Sequence, residues 1–150
     1  MTRNLLLLLH LGGVAAWLGA NLVQLVLTPR FAKGPAEVDV AWARQTIFLG
    51  ERYYTAAGGV IGVTGVLLVL DGDWGWGSGF IWVGAAVIAI GAVMGVAFFA
   101  PLAKRRIAAL ESGDPAGASA AQGRIIPLAL LDTALVLTAV LAMVDKWQVA

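Results

Sequence analysis

The sequence predicts an all-α membrane protein, a four-transmembrane-helix bundle with both termini outside. Two observations carry this prediction. Of the 150 residues, 60% are hydrophobic and only 13% are charged, with a mean hydropathy of +0.86, whereas about a quarter of the residues in a soluble domain are charged. In addition, four long apolar segments are separated by more polar connecting segments. A chain of this length is expected to form a single domain.

The four apolar segments cover residues 4–27, 53–70, 80–99 and 125–144. Each is near the ~20 residues that an α-helix needs to cross about 30 Å of hydrocarbon. Helices are expected because a helix satisfies its own backbone hydrogen bonds in lipid. The first segment is too long for the apolar region of a signal peptide, so we interpret it as a retained helix.

The segments that connect the first span to the second, and the third to the fourth, are expected to be largely helical. Residues 36–50 contain few helix breakers and lead into the second span. Residues 102–112 are predicted to continue the third helix until Gly113-Asp114-Pro115 ends it. Residues 116–123 are predicted to lead helically into the fourth span.

The basic residues predict the orientation in the membrane. Loops one and three contain eight of them, whereas the opposite side has only Arg3 and Lys146. The positive-inside rule therefore places loops one and three in the cytoplasm. Tryptophans are expected to form a belt at the outer boundary, at Trp74, Trp76, Trp82 and Trp147.

Several classes of function are disfavoured by composition. The chain has no cysteine, which excludes disulfides, thiolate metal sites and cysteine nucleophiles. A formal net charge of +1 gives no reason to expect nucleic acid as a partner. The sequence also lacks a phosphate-binding glycine loop, a nucleophile elbow and a zinc-protease helix. These observations favour a protein that is not an enzyme.

The first span carries its polar residues on one face. At about 100° per residue, the side chains of His10, Trp17, Asn21, Gln24 and Thr28 fall within about 40° of a common direction. A polar stripe on a spanning helix faces the bundle interior or a water-filled cavity. We therefore expect this face to point toward the other helices.

The fourth span contains Asp132, at nearly the same predicted depth as Asn21. An aspartate there costs roughly 2.5–3.5 kcal/mol on the insertion scale, so we expect it to be paired, hydrated or protonated. We predict a hydrogen bond from Asn21 or Gln24 to Asp132. Such a cluster either joins the first helix to the fourth or belongs to a carrier of protons or small solutes, and the second interpretation requires a water path.

His10 is the only histidine in the chain. Its residue type is compatible with an axial haem ligand, a metal ligand, a proton carrier or a packed side chain. A site with two histidines for haem, copper or zinc is excluded within one protomer. A five-coordinate haem, a pair of His10 with Met143, and a site shared between protomers stay open.

Two pairs of glycines have the small-xxx-small spacing that lets helix backbones approach closely, Gly58 with Gly62 and Gly91 with Gly95. We expect them to serve packing within the bundle, with a dimer interface as the alternative. Because spans two and three are rich in glycine and joined by a short loop, we also expect them to form a tight antiparallel hairpin.

The spacing of His10, Trp17 and Gly19, followed by Pro29-Arg30 and later by Trp82 and Pro101, resembles that of the CopD-like group of small bacterial integral membrane proteins. Within the group, the chain is most similar to an uncharacterised family, domain of unknown function 2269. It also resembles, distantly, the HemJ-type protoporphyrinogen oxidases, which bind haem b through a histidine of the first helix. That resemblance implies His10 as axial ligand. The HemJ-type pattern has a lysine soon after the tryptophan that opens the third helix, where this chain has Val83-Gly84-Ala85-Ala86.

Two hypotheses about function follow. The first is a non-enzymatic accessory or assembly subunit in the bacterial inner membrane, in contact with lipid and with other membrane subunits or further copies of itself. The second is a redox protein of HemJ-like type that binds haem b through His10.

Overall fold

The computed structural model describes residues 2–72 and 74–146 and is built from four long helices, with no strand in these residues. Each helix is long and apolar enough to cross a membrane, which confirms the predicted all-α four-helix fold. Trp147, predicted in the outer belt, lies outside the described residues. The helices are α1 (Thr2–Phe31), α2 (Ala36–Asp71), α3 (Gly79–Glu111) and α4 (Pro115–Asp145).

Two of the helices contain a π-helical turn. In α2, the α-helical parts Ala36–Phe48 and Thr55–Asp71 are joined by the π turn Leu49–Tyr54. In α3, Gly79–Met94 and Ala100–Glu111 are joined by the π turn Gly95–Phe99. The connecting segments are therefore helical, as predicted. Residues 36–50 belong to α2, residues 102–111 to α3 and residues 116–123 to the start of α4.

The junction between α3 and α4 shows why the chain turns where the sequence predicts it. Gly113 has a φ of 70°, a conformation that glycine adopts without steric cost. The Asp114 side chain then accepts a hydrogen bond of 2.9 Å from the Gly117 backbone N–H, which caps α4. Pro115 follows at the first position of the helix, where its missing N–H is no loss.

The helices pack as two pairs. The second half of α2 packs mainly against α1, and α4 packs against α3, whereas α2 and α3 make few contacts between Thr55–Asp71 and Gly79–Met94. The expectation of a tight hairpin between spans two and three is therefore wrong. The physical reason is that a large side chain of α1, the Trp17 indole, lies between the glycines of these two helices.

The interior of the bundle consists mainly of small and polar residues, with a few larger side chains at Trp17, Ile61, Met94 and Val136. Most of the large aliphatic side chains point outward. Buried positions include Ala57, Ala139 and Ala142. Leu8 and Val96 are among the many large residues that are exposed on the outer surface. This distribution is typical of helices in lipid, where packing of small residues rather than hydrophobic burial brings the helices together.

The end of the bundle that contains loops one and three, here called the basic end, is held by polar contacts between helices. The Arg106 guanidinium lies 2.5 Å from the Asp39 carboxylate, and both side chains are buried. Trp42 donates a hydrogen bond of 3.0 Å to the Thr28 hydroxyl and stacks on Phe31. These contacts join α2 to α3 and to α1 beyond the membrane-spanning parts.

We expect Arg106→Met to lower the free energy of unfolding by about 3–5 kcal/mol, because it leaves the Asp39 carboxylate buried and unpaired. The double variant Asp39→Leu/Arg106→Met is expected to recover much of that loss, since no uncompensated charge remains. Denaturant titration in detergent micelles measures both.

The matched control is Arg44→Met, which breaks the exposed ion pair between Arg44 and Glu111. Its expected cost is about 0–1 kcal/mol, as for other surface ion pairs. Equal losses in Arg106→Met and Arg44→Met would contradict the structural role assigned to the buried pair.

Candidate functional site

Trp17 of α1 contacts each of the other three helices. Its indole N–H donates a hydrogen bond of 3.0 Å to Asp132 Oδ2 on α4. A Cβ atom placed on Gly58 of α2 would lie 3.0 Å from its ring, and one placed on Gly91 of α3 would lie 3.0 Å and 3.1 Å from two ring carbons. The two glycines therefore make the space that the indole occupies.

A set of side chains from α1, α2 and α4 joins Trp17 in one hydrogen-bonded cluster, here called the Asp132 network. Asn21 donates to Asp132 Oδ2 over 2.8 Å and to the Thr133 hydroxyl over 3.1 Å. The Tyr54 hydroxyl donates to Asn21 Oδ1 over 2.6 Å, and Gln24 donates to the Tyr54 hydroxyl over 2.7 Å. The members are Trp17, Asn21, Gln24, Tyr54, Asp132 and Thr133.

The network contains the predicted hydrogen bond between Asn21 and Asp132. Gln24, the other predicted donor, reaches the cluster through Tyr54 and makes no direct bond to Asp132. Tyr54 and Thr133 were not predicted as members. Thr133 could have been predicted as a member, because it directly follows Asp132. Tyr54 could not, because the sequence places it beside Tyr53 at the predicted start of the second span.

Electrostatically, the network converges on one carboxyl oxygen. Asp132 is only 5% exposed, and both donors that reach it, from Trp17 and Asn21, bond to Oδ2. The donors are uncharged, and α3 contributes no charged side chain between Gly79 and Phe99. The cost of placing Asp132 inside the membrane is thus offset by hydrogen bonds rather than by a cation.

His10 lies on the same face of α1 but bonds to α2 instead. Its Nδ1 is 3.1 Å from the Ile61 carbonyl oxygen and 3.1 Å from the Thr64 hydroxyl oxygen. Because a carbonyl oxygen only accepts, Nδ1 carries a hydrogen in this arrangement. In the neutral ring, Nε2 is then the acceptor atom, which is the orientation found in many metal-ligating histidines.

The space around His10 does not fit a haem group in this packing of the helices. The side chain is only 6% exposed, and a Cβ atom placed on Gly65 would lie 3.3 Å from its Cε1 atom. The α2 backbone thus closes one edge of the imidazole. A porphyrin beside Nε2 would require α1 and α2 to separate.

An apolar pocket of about 40 Å³ lies beside the Trp17 ring and reaches Met143 near the end of α4. All four helices line it, with Val14, Ile61, Val87 and Val136 among the lining residues. Its wall is apolar, so it offers no hydrogen-bonding partner to a proton carrier or a polar solute.

The four glycines singled out by spacing have different surroundings. Gly58 and Gly91 are in close contact, but with the Trp17 ring rather than with a helix backbone. A Cβ atom on Gly62 or Gly95 would have no heavy atom within 4 Å. The expectation of packing within the bundle therefore does not hold for Gly62 and Gly95.

Comparison with known proteins finds no significant match to this chain, whether among family models, curated proteins or solved structures.

We expect Gly91→Ala to lower the free energy of unfolding by about 1–3 kcal/mol, the typical cost of overpacking a filled interior. The added methyl group would press on the Trp17 ring, and this outweighs the gain of up to about 1 kcal/mol in helix propensity. Denaturant titration in micelles measures the difference from the wild type.

Gly95→Ala, one turn further along α3, is the matched control because its methyl group enters open space. It is expected to leave stability unchanged or slightly increased. If both variants were as stable as the wild type, the Trp17 ring would not be held by Gly91 as described.

Proposed function

We propose that this small polytopic membrane protein is a non-enzymatic accessory or assembly subunit of a larger complex in the bacterial cytoplasmic membrane, with loops one and three in the cytoplasm. The observation that carries the proposal is the Asp132 network. Its polar groups bond to one another across three helices, as groups that stabilise a bundle do.

Accessibility supports this role for the network. Asn21 and Asp132 are buried, Trp17 closes the space beside them, and the cavity on the other side of the ring is apolar. A substrate or solute needs a reactive group that it can reach. The arrangement instead produces a rigid bundle whose outer faces are available for contacts with other membrane proteins.

The outer face of α1 has the features of a contact surface for another helix. Gly12, Ala15 and Gly19 are exposed there, and a Cβ atom on either glycine would meet no heavy atom within 4 Å. These residues lie on the side of α1 opposite its buried polar stripe. Small residues on a lipid-facing surface let a partner helix approach closely.

We expect the tagged chain, extracted from native membranes in mild detergent, to retain a stoichiometric membrane-protein partner that the double variant Gly12→Leu/Gly19→Leu loses. Leucine at both positions would hold the partner helix away. Mass spectrometry of the eluate identifies the partner, and the ratio of partner to tagged chain gives the stoichiometry.

Val93→Leu, on the exposed surface of α3, is the control and should keep the partner. A wild-type chain that purifies alone from native membranes would contradict the subunit proposal.

One observation favours a second candidate function, binding of haem b as in the HemJ-type proteins that the sequence resembles. The Ile61 carbonyl orients the imidazole of His10 so that Nε2 is the free ring nitrogen. This function requires α1 and α2 to move apart around His10, because the present packing does not fit a porphyrin.

The absorbance spectrum of protein expressed with ample haem tests this candidate. A haem protein would show a Soret band that His10→Ala abolishes. Asp132→Asn is the control and should retain the band, because Asp132 makes no contact with His10 in the hydrogen-bonded network. A colourless preparation would contradict haem binding.

A further inference from the structure

We propose that the exposed surface of α2 formed by Glu51, Arg52, Thr55 and Gly59, here called the α2 face, binds a second copy of this chain. The inference goes beyond the subunit proposal, because it concerns association of the chain with itself and a different helix from the α1 surface.

The α2 face is unpartnered within the chain. The buried residues of this part of α2 are Ala57, Ile61 and Thr64, whereas Thr55 and Gly59 are exposed. A Cβ atom placed on Gly59 meets no heavy atom within 4 Å. Another helix can therefore approach the backbone closely at this position.

Two charges of opposite sign stand at the basic end of the α2 face. Glu51 and Arg52 are adjacent in the π turn Leu49–Tyr54, and both are exposed. Neither takes part in an ion pair among the described residues, whose ion pairs join Arg44 to Glu111 and Arg106 to Asp39. Glu51 and Arg52 are therefore available to another molecule.

A second copy is the partner that this pair of charges fits. In a two-fold symmetric dimer, each contact occurs twice with the subunits exchanged. If Glu51 lies opposite Arg52 of the partner subunit, then Arg52 lies opposite Glu51 of the partner subunit. One surface thus supplies both halves of two ion pairs.

The position of Glu51 argues against lipid as the main occupant of this face. It lies two residues before the predicted start of the second span, on the side where basic residues are concentrated. An anionic lipid surface attracts lysine and arginine but repels a carboxylate. Arg52 of the partner subunit supplies Glu51 with a cation, which an anionic headgroup does not.

Because the chain contains no cysteine, a single introduced thiol reports directly on proximity between copies. Purified Thr55→Cys protein, reconstituted in vesicles of neutral phospholipid and mildly oxidised, is expected to form a disulfide-linked dimer. Val93→Cys, exposed on α3, is the control and is expected to remain monomeric. Cross-linking in both variants alike, or in neither, would overturn the proposal.

Charge exchange tests the pairing itself. In the Thr55→Cys background, Glu51→Arg and Arg52→Glu are each expected to weaken dimerisation by about tenfold, the effect of losing two exposed ion pairs. The double exchange Glu51→Arg/Arg52→Glu is expected to restore it, because both pairs re-form with reversed sign. Single variants that dimerise like the parent, or a double exchange that stays weak, would overturn the proposal.

Failure of this inference and failure of the subunit proposal give different results. A chain that does not cross-link to itself in vesicles but retains a partner of different mass from native membranes refutes only the dimer. Monodisperse elution of each exchange variant in detergent shows that a loss of dimer is not a loss of fold.

Discussion

The position of one indole ring constrains the arrangement of the whole bundle. Trp17 lies between Gly58 of α2 and Gly91 of α3 and donates its N–H to Asp132 of α4. A side chain of this size between two glycine surfaces keeps α2 and α3 from closing on each other, and its hydrogen bond sets the depth and rotation of α4 against α1. In lipid, where hydrophobic burial does not drive helix association, such packing and hydrogen bonding must do so.

The other intramembrane polar contacts follow from the same requirement, since the bilayer interior offers no water to satisfy a donor or acceptor. Asn21 supplies the second donor to Asp132 and is itself held by Tyr54. His10 bonds to α2 at a separate level. No hydrogen bond among the described residues connects His10 with the Asp132 network, so the polar groups form two separate links between helices.

At the basic end the helices are joined by a different kind of contact. The helices α2 and α3 extend beyond the predicted spans, and the buried pair of Asp39 with Arg106 connects them there. Inside the membrane these same two helices make few contacts. Their association thus depends on the Trp17 ring at one level and on an ion pair at another.

The sequence by itself determined the number of helices, the helical connections, the polar face of α1 and the common depth of Asn21 and Asp132. These features depend on segment length and on the 3.6-residue period, both of which are local. Only the tertiary structure decided that Gly58 and Gly91 receive Trp17, that Tyr54 joins the network, and that Gly62 faces open space. These depend on how each helix is rotated about its axis relative to its neighbours, and that rotation results from contacts between residues far apart in the chain.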